Sequence, residues 1–299
     1  HESTRRQRQM CIRDRDYTAF FGPLAKWAVQ IDHVDRVPEI ISRAWTVAMS
    51  GRPGPVVVAL PEDMLVATSD RLPCNPVAIP EPAVPEAGAA QMAAMLATAE
   101  RPVMLVGGTR WTAGSARALE SFAAANDVPV VAAFRFHDII DNHCPSFVGD
   151  AGVAMNAYMK VLLREADLIV AINIRFGEST TDGYSLFEAP KMAAKLVHSH
   201  ASDGEIGKIY APDLPIHAGP NAMASALAGI SLPASEARTA WRDAARENYL
   251  AALTAPAQPG DVDMGMITAH IRDTLPEDAI ITHGAGNFSI WPNKFISYG

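Results

Sequence analysis

From Val37 onward, apolar residues recur at Val37, Ile40, Ile41, Ala44 and Ala48. This i, i+3, i+4, i+7, i+11 spacing is one face of a helix. Ser50-Gly51 ends it, Pro53 and Pro55 bar its continuation, and "VVVAL" (residues 56–60) is β-branched enough to be a strand. A helix feeding a continuously apolar strand is the closing unit of an open α/β sheet. Almost nothing precedes this strand for it to pair with, so the pattern predicts the end of a domain whose first part lies upstream.

Residues 64–88 change character. "SDRLPCNPVAIPEPAVPEAG" carries five prolines and little periodicity, the pattern of an extended linker. A regular alternation follows. Helices are predicted at "AAQMAAMLATA", "SARALESFAAAND", "MKVLLREA" and "AMASALAGI", and short buried strands at "PVMLVGG", "VPVVAAF", "DLIVAI", "KLVHSH" and "LPIHAG". Strands alternating with helices in this way predict an α/β fold with a Rossmann-like, doubly wound parallel sheet. Residues 236–252 read as a long surface or connecting helix, broken by "APAQPGD". A new unit then starts, with a helical face at Met264, Ile267, Ile271 and Leu275. A strand "EDAIIT", a glycine turn "HGAGN" and a helix start "FSIWPNKF" complete it.

Composition narrows the function classes. With 299 residues, 49% hydrophobic and 19% charged, the chain has ample material for a core. A formal charge of −8, with no basic stripe, argues against nucleic acid as a partner. Three scattered cysteines (Cys11, Cys74, Cys144) suit a reducing, cytoplasmic setting and no disulfide framework. No run is apolar enough to predict a membrane span. The first residues, "HESTRRQRQMCIRDR", hold five arginines and no apolar period. "MCIRDR" resembles translated sequencing adapter, so residues 1–16 are set aside as a non-native or disordered tail, and the chain reads as a fragment open at both ends.

Candidate chemistry collects where strands end. "AIITHGAGNFSIW" runs a strand into Gly284, Ala285, Gly286 and Asn287, a turn in which the backbone can approach a phosphate or simply reverse. Gly107-Gly108 follows another strand, but the Gly-x-Gly-x-x-Gly spacing is missing, and no Walker motif occurs. Arg175, also past a strand, can meet an anion or pair with Glu178 or Asp182. His198 and His200 share one strand face, and His137, Asp138, Asp141, His143 and Cys144 share a loop. Neither group has a recognised ligand spacing, so no metal site is assigned. No nucleophile elbow is present.

The order of parts says more than any single motif. "SGRPGPVVVALPED", a proline-rich linker, a sheet containing "RPVMLVGG" and "ADLIVAINIRFGE", a connecting helix, and a strand ending in a glycine turn follow one another. Over residues 17–299 this resembles the thiamine diphosphate-dependent decarboxylase and acetolactate synthase family, acetolactate synthase-like large subunits above all. The resemblance implies 17–65 as the end of a pyrimidine-binding domain, 66–84 as linker, 85–232 as a central Rossmann-like domain and 233–299 as the start of a diphosphate-binding domain. It implies thiamine diphosphate and Mg2+ as cofactors, a 2-oxo acid as substrate, and a homodimer or tetramer. The family's activating glutamate would lie upstream and its metal-binding Gly-Asp-Gly…Asn downstream, leaving no catalytic residue here. Ala285, Gly286, Asn287 and Phe288 match the family's diphosphate-side segment, with Asn-Phe where many relatives carry Gln-His. FAD is implied through Gly107, Gly108 and Arg175, but His198 and His200 stand where Asp-x-Asp is expected, and "FGES" replaces "FDDR". Readings from other classes are an FAD- or NAD-binding module and a non-catalytic oligomerisation scaffold.

Overall fold

A computed structural model describes residues 16–75, 77–276 and 278–299; the basic stretch 1–15, with Cys11, lies outside them. The described chain divides after Glu81 into two compact units.

In the first unit, a short helix α1 (Tyr17–Phe21) precedes strand β1 (Trp27–Gln30), helix α2 (Val37–Met49), strand β2 (Val56–Ala59) and helix α3 (Glu62–Val66). β2 is the strand predicted from "VVVAL", and its partner is β1, parallel and in register from Trp27↔Val56 to Gln30↔Ala59. "WAVQ" is too short to show a period, which is why the sequence offers no sign of this partner. The Gly-Arg-Pro-Gly corner between α2 and β2 is held from outside. Lys26 donates to the carbonyls of Ser50 (2.6 Å) and Arg52 (3.1 Å). Gly51 takes a left-handed φ of 54°, and a side chain at Gly54 would press on the Lys26 methylenes at 3.0 Å.

In the second unit, α4 (Glu86–Thr98) leads into β3 (Pro102–Val106), α5 (Ala113–Ala125), β4 (Val130–Ala133), β5 (Phe147–Ala151), α6 (Ala157–Glu165) and β6 (Leu168–Ile172). β7 (Lys195–His200), β8 (Leu214–His217), α7 (Pro220–Ala228), α8 (Glu236–Ala252), α9 (Met264–Thr274) and α10 (Ile290–Phe295) follow. One six-stranded sheet has the order β5-β4-β3-β6-β7-β8, with every neighbouring pair parallel. The α/β, Rossmann-like expectation therefore holds. The five expected strands are present, and a sixth, "FVGDA", was not expected because Gly149 and Asp150 interrupt its apolar run.

Strand alternation puts side chains on two covered faces. Met104, Val106, Val130, Ala132, Val170 and Ile172 face α4, α5 and α7, packing with Leu96, Phe122 and Leu227. Val103, Leu105, Val131, Ile169 and Ala171 face the other way, packing with Met159 and Leu163 of α6 and Ala245 of α8. The helix expected over 236–252 is present as α8, and the structure adds that it is clamped to the sheet. Arg238, 2% exposed, donates to the carbonyls of Asn126 and Pro233, both at 2.6 Å. Arg246 donates to those of Asn142 (2.9 Å) and Phe147 (2.7 Å), and the Trp241 indole to that of Pro102 (3.1 Å).

The predicted strand "EDAIIT" does not form: residues 278–286 carry no ladder, and Ile280 is 91% exposed. A strand needs a neighbour to pair with, and no strand among the described residues pairs with this stretch. Because both sheet faces are fully packed, truncating the central β3 residue Leu105 leaves a cavity that neighbours cannot fill. Leu105→Ala is expected to cost about 2–5 kcal/mol in chemical denaturation.

Candidate functional site

The sheet order reverses between β3 and β6: β4 and β5 extend to one side, β7 and β8 to the other. In open parallel sheets, ligands enter the crevice at the carboxyl ends of such a pair. Here that crevice is bounded by Gly107 and Gly108 after β3 and by Asn173, Ile174 and Arg175 after β6, so the structure brings the three predicted residues to one edge.

The crevice is filled by the chain itself. Gly107 donates its N–H to the Ile172 carbonyl, and an added Cβ there would lie 2.9 Å from both Ala133 Cβ and Ile174 Cγ2. Gly108, at φ 69°, has no room for a side chain because the Asn173 carbonyl and carboxamide face it closely. Asn173, itself left-handed at φ 55° and buried, donates from Nδ2 to the Thr109 carbonyl at 3.0 Å. The Trp111 indole donates to the Gly107 carbonyl at 2.9 Å. Asn221, from α7, accepts from Thr112 N at 2.9 Å and donates to the Arg110 carbonyl at 2.8 Å. Thr112 in turn caps α5, accepting from Ser115 N at 3.2 Å. The glycines are thus required by close backbone packing.

Arg175 is exposed, and among the described residues no ion pair joins it to Glu178 or Asp182. Asp182 pairs instead with Lys160, which holds its carboxyl below the usual range. Arg175 borders a cavity of about 50 Å³ together with Phe176, His198, Glu205, Lys208 and Tyr210. His198 is 1% exposed and edge-on to Phe176, with ring centroids 5.1 Å apart. Its Nε2 lies 3.2 Å from the Ile174 carbonyl, which can only accept. Nε2 therefore carries the proton, and Nδ1 is left buried without a partner. Burial pushes the His198 pKa down to about 4, outweighing the bond to Ile174, so the ring is neutral near pH 7. A cavity of about 50 Å³ bordered by these polar side chains suits ordered water. His200 is occupied elsewhere: its Nδ1 accepts from Ser202 N at 2.9 Å.

The predicted diphosphate-side turn lies apart from this edge. Gly284, Ala285, Gly286 and Asn287 line an open groove of about 1620 Å³ opposite the loop after β4, which contributes His137, Asp138 and Asp141. Neither Gly107, Gly108 nor Arg175 borders that groove, so the two predicted groups do not share a cavity. Residues 284–288 are exposed, and Gly286 sits at φ 148°, with Phe288 ring carbons 3.0 and 3.2 Å from where a Cβ would be. Among the described residues no hydrogen bond occupies the N–H groups of Asn287 or Phe288, so the turn has donors to offer a diphosphate oxygen. Metal ligands are another matter: no cluster of three or more His, Cys, Asp or Glu among the described residues could hold a metal ion. His137 instead approaches Asp150 at 3.5 Å, and Cys144 is buried with its thiol pKa raised by that burial. No helix among the described residues is long and apolar enough to cross a membrane.

These features define an α/β chain built around a parallel, Rossmann-like domain with additional segments on either side. Residues 89–227 match the family model described as the central domain of thiamine pyrophosphate enzymes. The chain is 26% identical over 274 residues to the acetolactate synthase isozyme 2 large subunit of Escherichia coli (strain K12), covering 91% of this chain and 48% of that protein. It is 29% identical to the acetolactate synthase large subunit of Parasynechococcus marenigrum (strain WH8102), over 94% of this chain and 47% of the relative. The glyoxylate carboligase of Escherichia coli O157:H7 is also 29% identical, over 79% and 39% respectively. The chain therefore spans about half the length of the acetolactate synthase subunits it matches.

The residues that matter most at the β3/β6 edge, Asn173, Asn221 and Trp111, were not singled out from sequence. Asn directly after a buried strand was the available signal, since Asn tolerates the left-handed conformation. Gly108→Ala is expected to destabilise the fold by at least about 2 kcal/mol, through its positive φ and the clash with Asn173; thermal or urea unfolding reads this.

A second expectation concerns acid. The unfolded chain binds a proton at His198 near pH 6.5, while the folded chain does so only near 4. Stability from this site is thus full above pH 6.5 and lost as pH falls toward 4, by roughly 3 kcal/mol. His198→Gln, which keeps a donor for Ile174 but does not titrate, should flatten that part of the stability–pH curve.

Proposed function

We propose that this chain is the middle portion of a thiamine diphosphate- and Mg2+-dependent enzyme that decarboxylates a 2-oxo acid, with or without ligation of the product to a second carbonyl. The observation that carries this reading is the extent of the likeness. Alignment with acetolactate synthase large subunits runs over 91–94% of the chain, well beyond residues 89–227 on both sides. A stand-alone nucleotide-binding module, or a scaffold limited to the central domain, accounts for neither flank.

In this reading 17–65 close a pyrimidine-binding domain, 66–84 link, 85–232 form the central domain and 233–299 open a diphosphate-binding domain. The bound cofactor would supply an electron sink for the carbanion left by decarboxylation. This chain's share is positional. The exposed N–H groups at Gly286, Asn287 and Phe288 would face diphosphate oxygens, Asn287 adding a side-chain amide where many relatives have glutamine. Phe288, in a position where many relatives have histidine, can neither donate nor accept, so it would shape the site by bulk alone. Ligands for Mg2+ and the group that activates the cofactor ring would come from sequence beyond residues 16–299. The chain alone should therefore be inactive, and the full protein is expected to be a homodimer or tetramer.

The test is to read the source DNA across both ends of this frame and assay the full-length product with pyruvate or glyoxylate, thiamine diphosphate and Mg2+. Expected are an upstream glutamate, a downstream Gly-Asp-Gly followed by asparagine, and release of carbon dioxide that depends on both cofactors. Stop codons flanking the frame would overturn the reading.

A further inference from the structure

We infer that the central domain of this chain is sealed against FAD, and that Asn173 and Asn221 are what seal it. The inference rests on the proposed membership among acetolactate synthase-like enzymes, because that likeness is what leads one to expect a flavin.

A dinucleotide on a doubly wound sheet needs three things: glycines that leave space for its diphosphate, free N–H groups at the helix following the first strand, and acceptors on a neighbouring strand for ribose hydroxyls. The first is absent because the space beside Gly108 holds the Asn173 carbonyl and carboxamide, while that beside Gly107 holds Ala133, Ile174 and Phe136. The second is met only in part. Thr112 N is bound to Asn221 and Ser115 N to the Thr112 hydroxyl, so that of the first turn only the N–H groups of Ala113 and Gly114 are left to a ligand, while the loop before it is fixed through the carbonyls of Gly107, Thr109 and Arg110, held by Trp111, Asn173 and Asn221.

The third requirement fails on donor chemistry. A carboxylate pair would offer several outward lone pairs, but β7 carries His198 and His200. His198 is neutral, turned inward and bonded to Ile174, and its one remaining acceptor is buried. The Nδ1 of His200 is engaged by Ser202. Arg175 is exposed, but a cation at the rim does not by itself make a dinucleotide site. The residues present do not fit FAD.

The same barrier applies to any ligand that would place a diphosphate against the β3–α5 loop, so ADP serves as the second probe. The experiment uses the purified chain with a cooperative thermal transition. FAD is titrated while flavin fluorescence anisotropy is followed, and ADP is added in a parallel thermal-shift series. The expected result is no saturable FAD signal and no upward shift of the melting midpoint with either ligand, since a ligand that binds only the folded state must raise it. Saturable, stoichiometric FAD binding would overturn the inference outright. A melting shift with ADP alone would overturn the sealed loop. The same titration on N173G/N221A supplies a positive arm: a folded double variant that gains ADP binding supports the two asparagines as the seal, and one that gains none removes them from that role. None of these outcomes bears on the thiamine diphosphate reading, whose failure would show in the flanking reading frame.

Discussion

An all-parallel sheet has no face it can leave in water, and much of the second unit follows from that constraint. Its six strands are joined by crossovers, so both surfaces of each strand must be apolar and both must be covered. Helices α4, α5 and α7 cover one surface, but α6 alone does not complete the other. α8 supplies the rest, and it does so outside the segment 89–227 that carries the family likeness. Its attachment uses arginines whose partners are backbone carbonyls. A guanidinium's several fixed donors can satisfy carbonyls left over at the loop residues 126 and 142 and at Phe147, where β5 begins. The packed sheet is covered in part by chain that lies beyond the segment carrying the family likeness.

The same constraint acts at the carboxyl edge of the sheet. β3 and β6 lie side by side where the strand order reverses, and their exits must diverge without opening a hole into the core. Gly108 and Asn173 achieve this by both adopting left-handed conformations, which turns the two chains against each other. A crevice that could serve ligands on this architecture therefore becomes a packed seam. Architecture alone does not assign a cofactor; the residues lining the crevice do.

The strands legible from sequence were those with unbroken apolar runs, since "PVMLV", "VVAA" and "LIVAI" allow little besides burial. β5 escaped notice because Gly149 and Asp150 break its run, and β1 because four residues show no period. The candidate site was legible as positions but not as contacts. Gly107, Gly108 and Arg175 could be placed at one edge, because strand ends are readable. That Asn173 occupies the space beside Gly108 could not, because it depends on how two loops 65 residues apart meet. His198 was similarly recognisable as a strand residue facing one side, whereas its neutrality follows from burial beside Phe176 and Tyr210.

A mismatch between composition and surroundings supports the proposed domain plan. Val56, Val57, Val58 and Ala59 form the kind of run that a strand covered on both faces carries, yet each is only half-buried, and among the described residues β1 is its one neighbour. Two strands are rarely enough for independent stability. The segment 279–282 shows the same excess, being apolar enough for a strand but without a ladder, with Ile280 fully in solvent. Trp45, Leu65 and Val66 in the first unit, and Met266 and Ile271 on α9, are likewise exposed. The sheet of residues 102–217 shows no such deficit. Strands or strand-like segments with more apolar character than cover thus fall in the two flanks, where the proposed plan places incomplete domains, and not in the sheet of the domain it describes as whole.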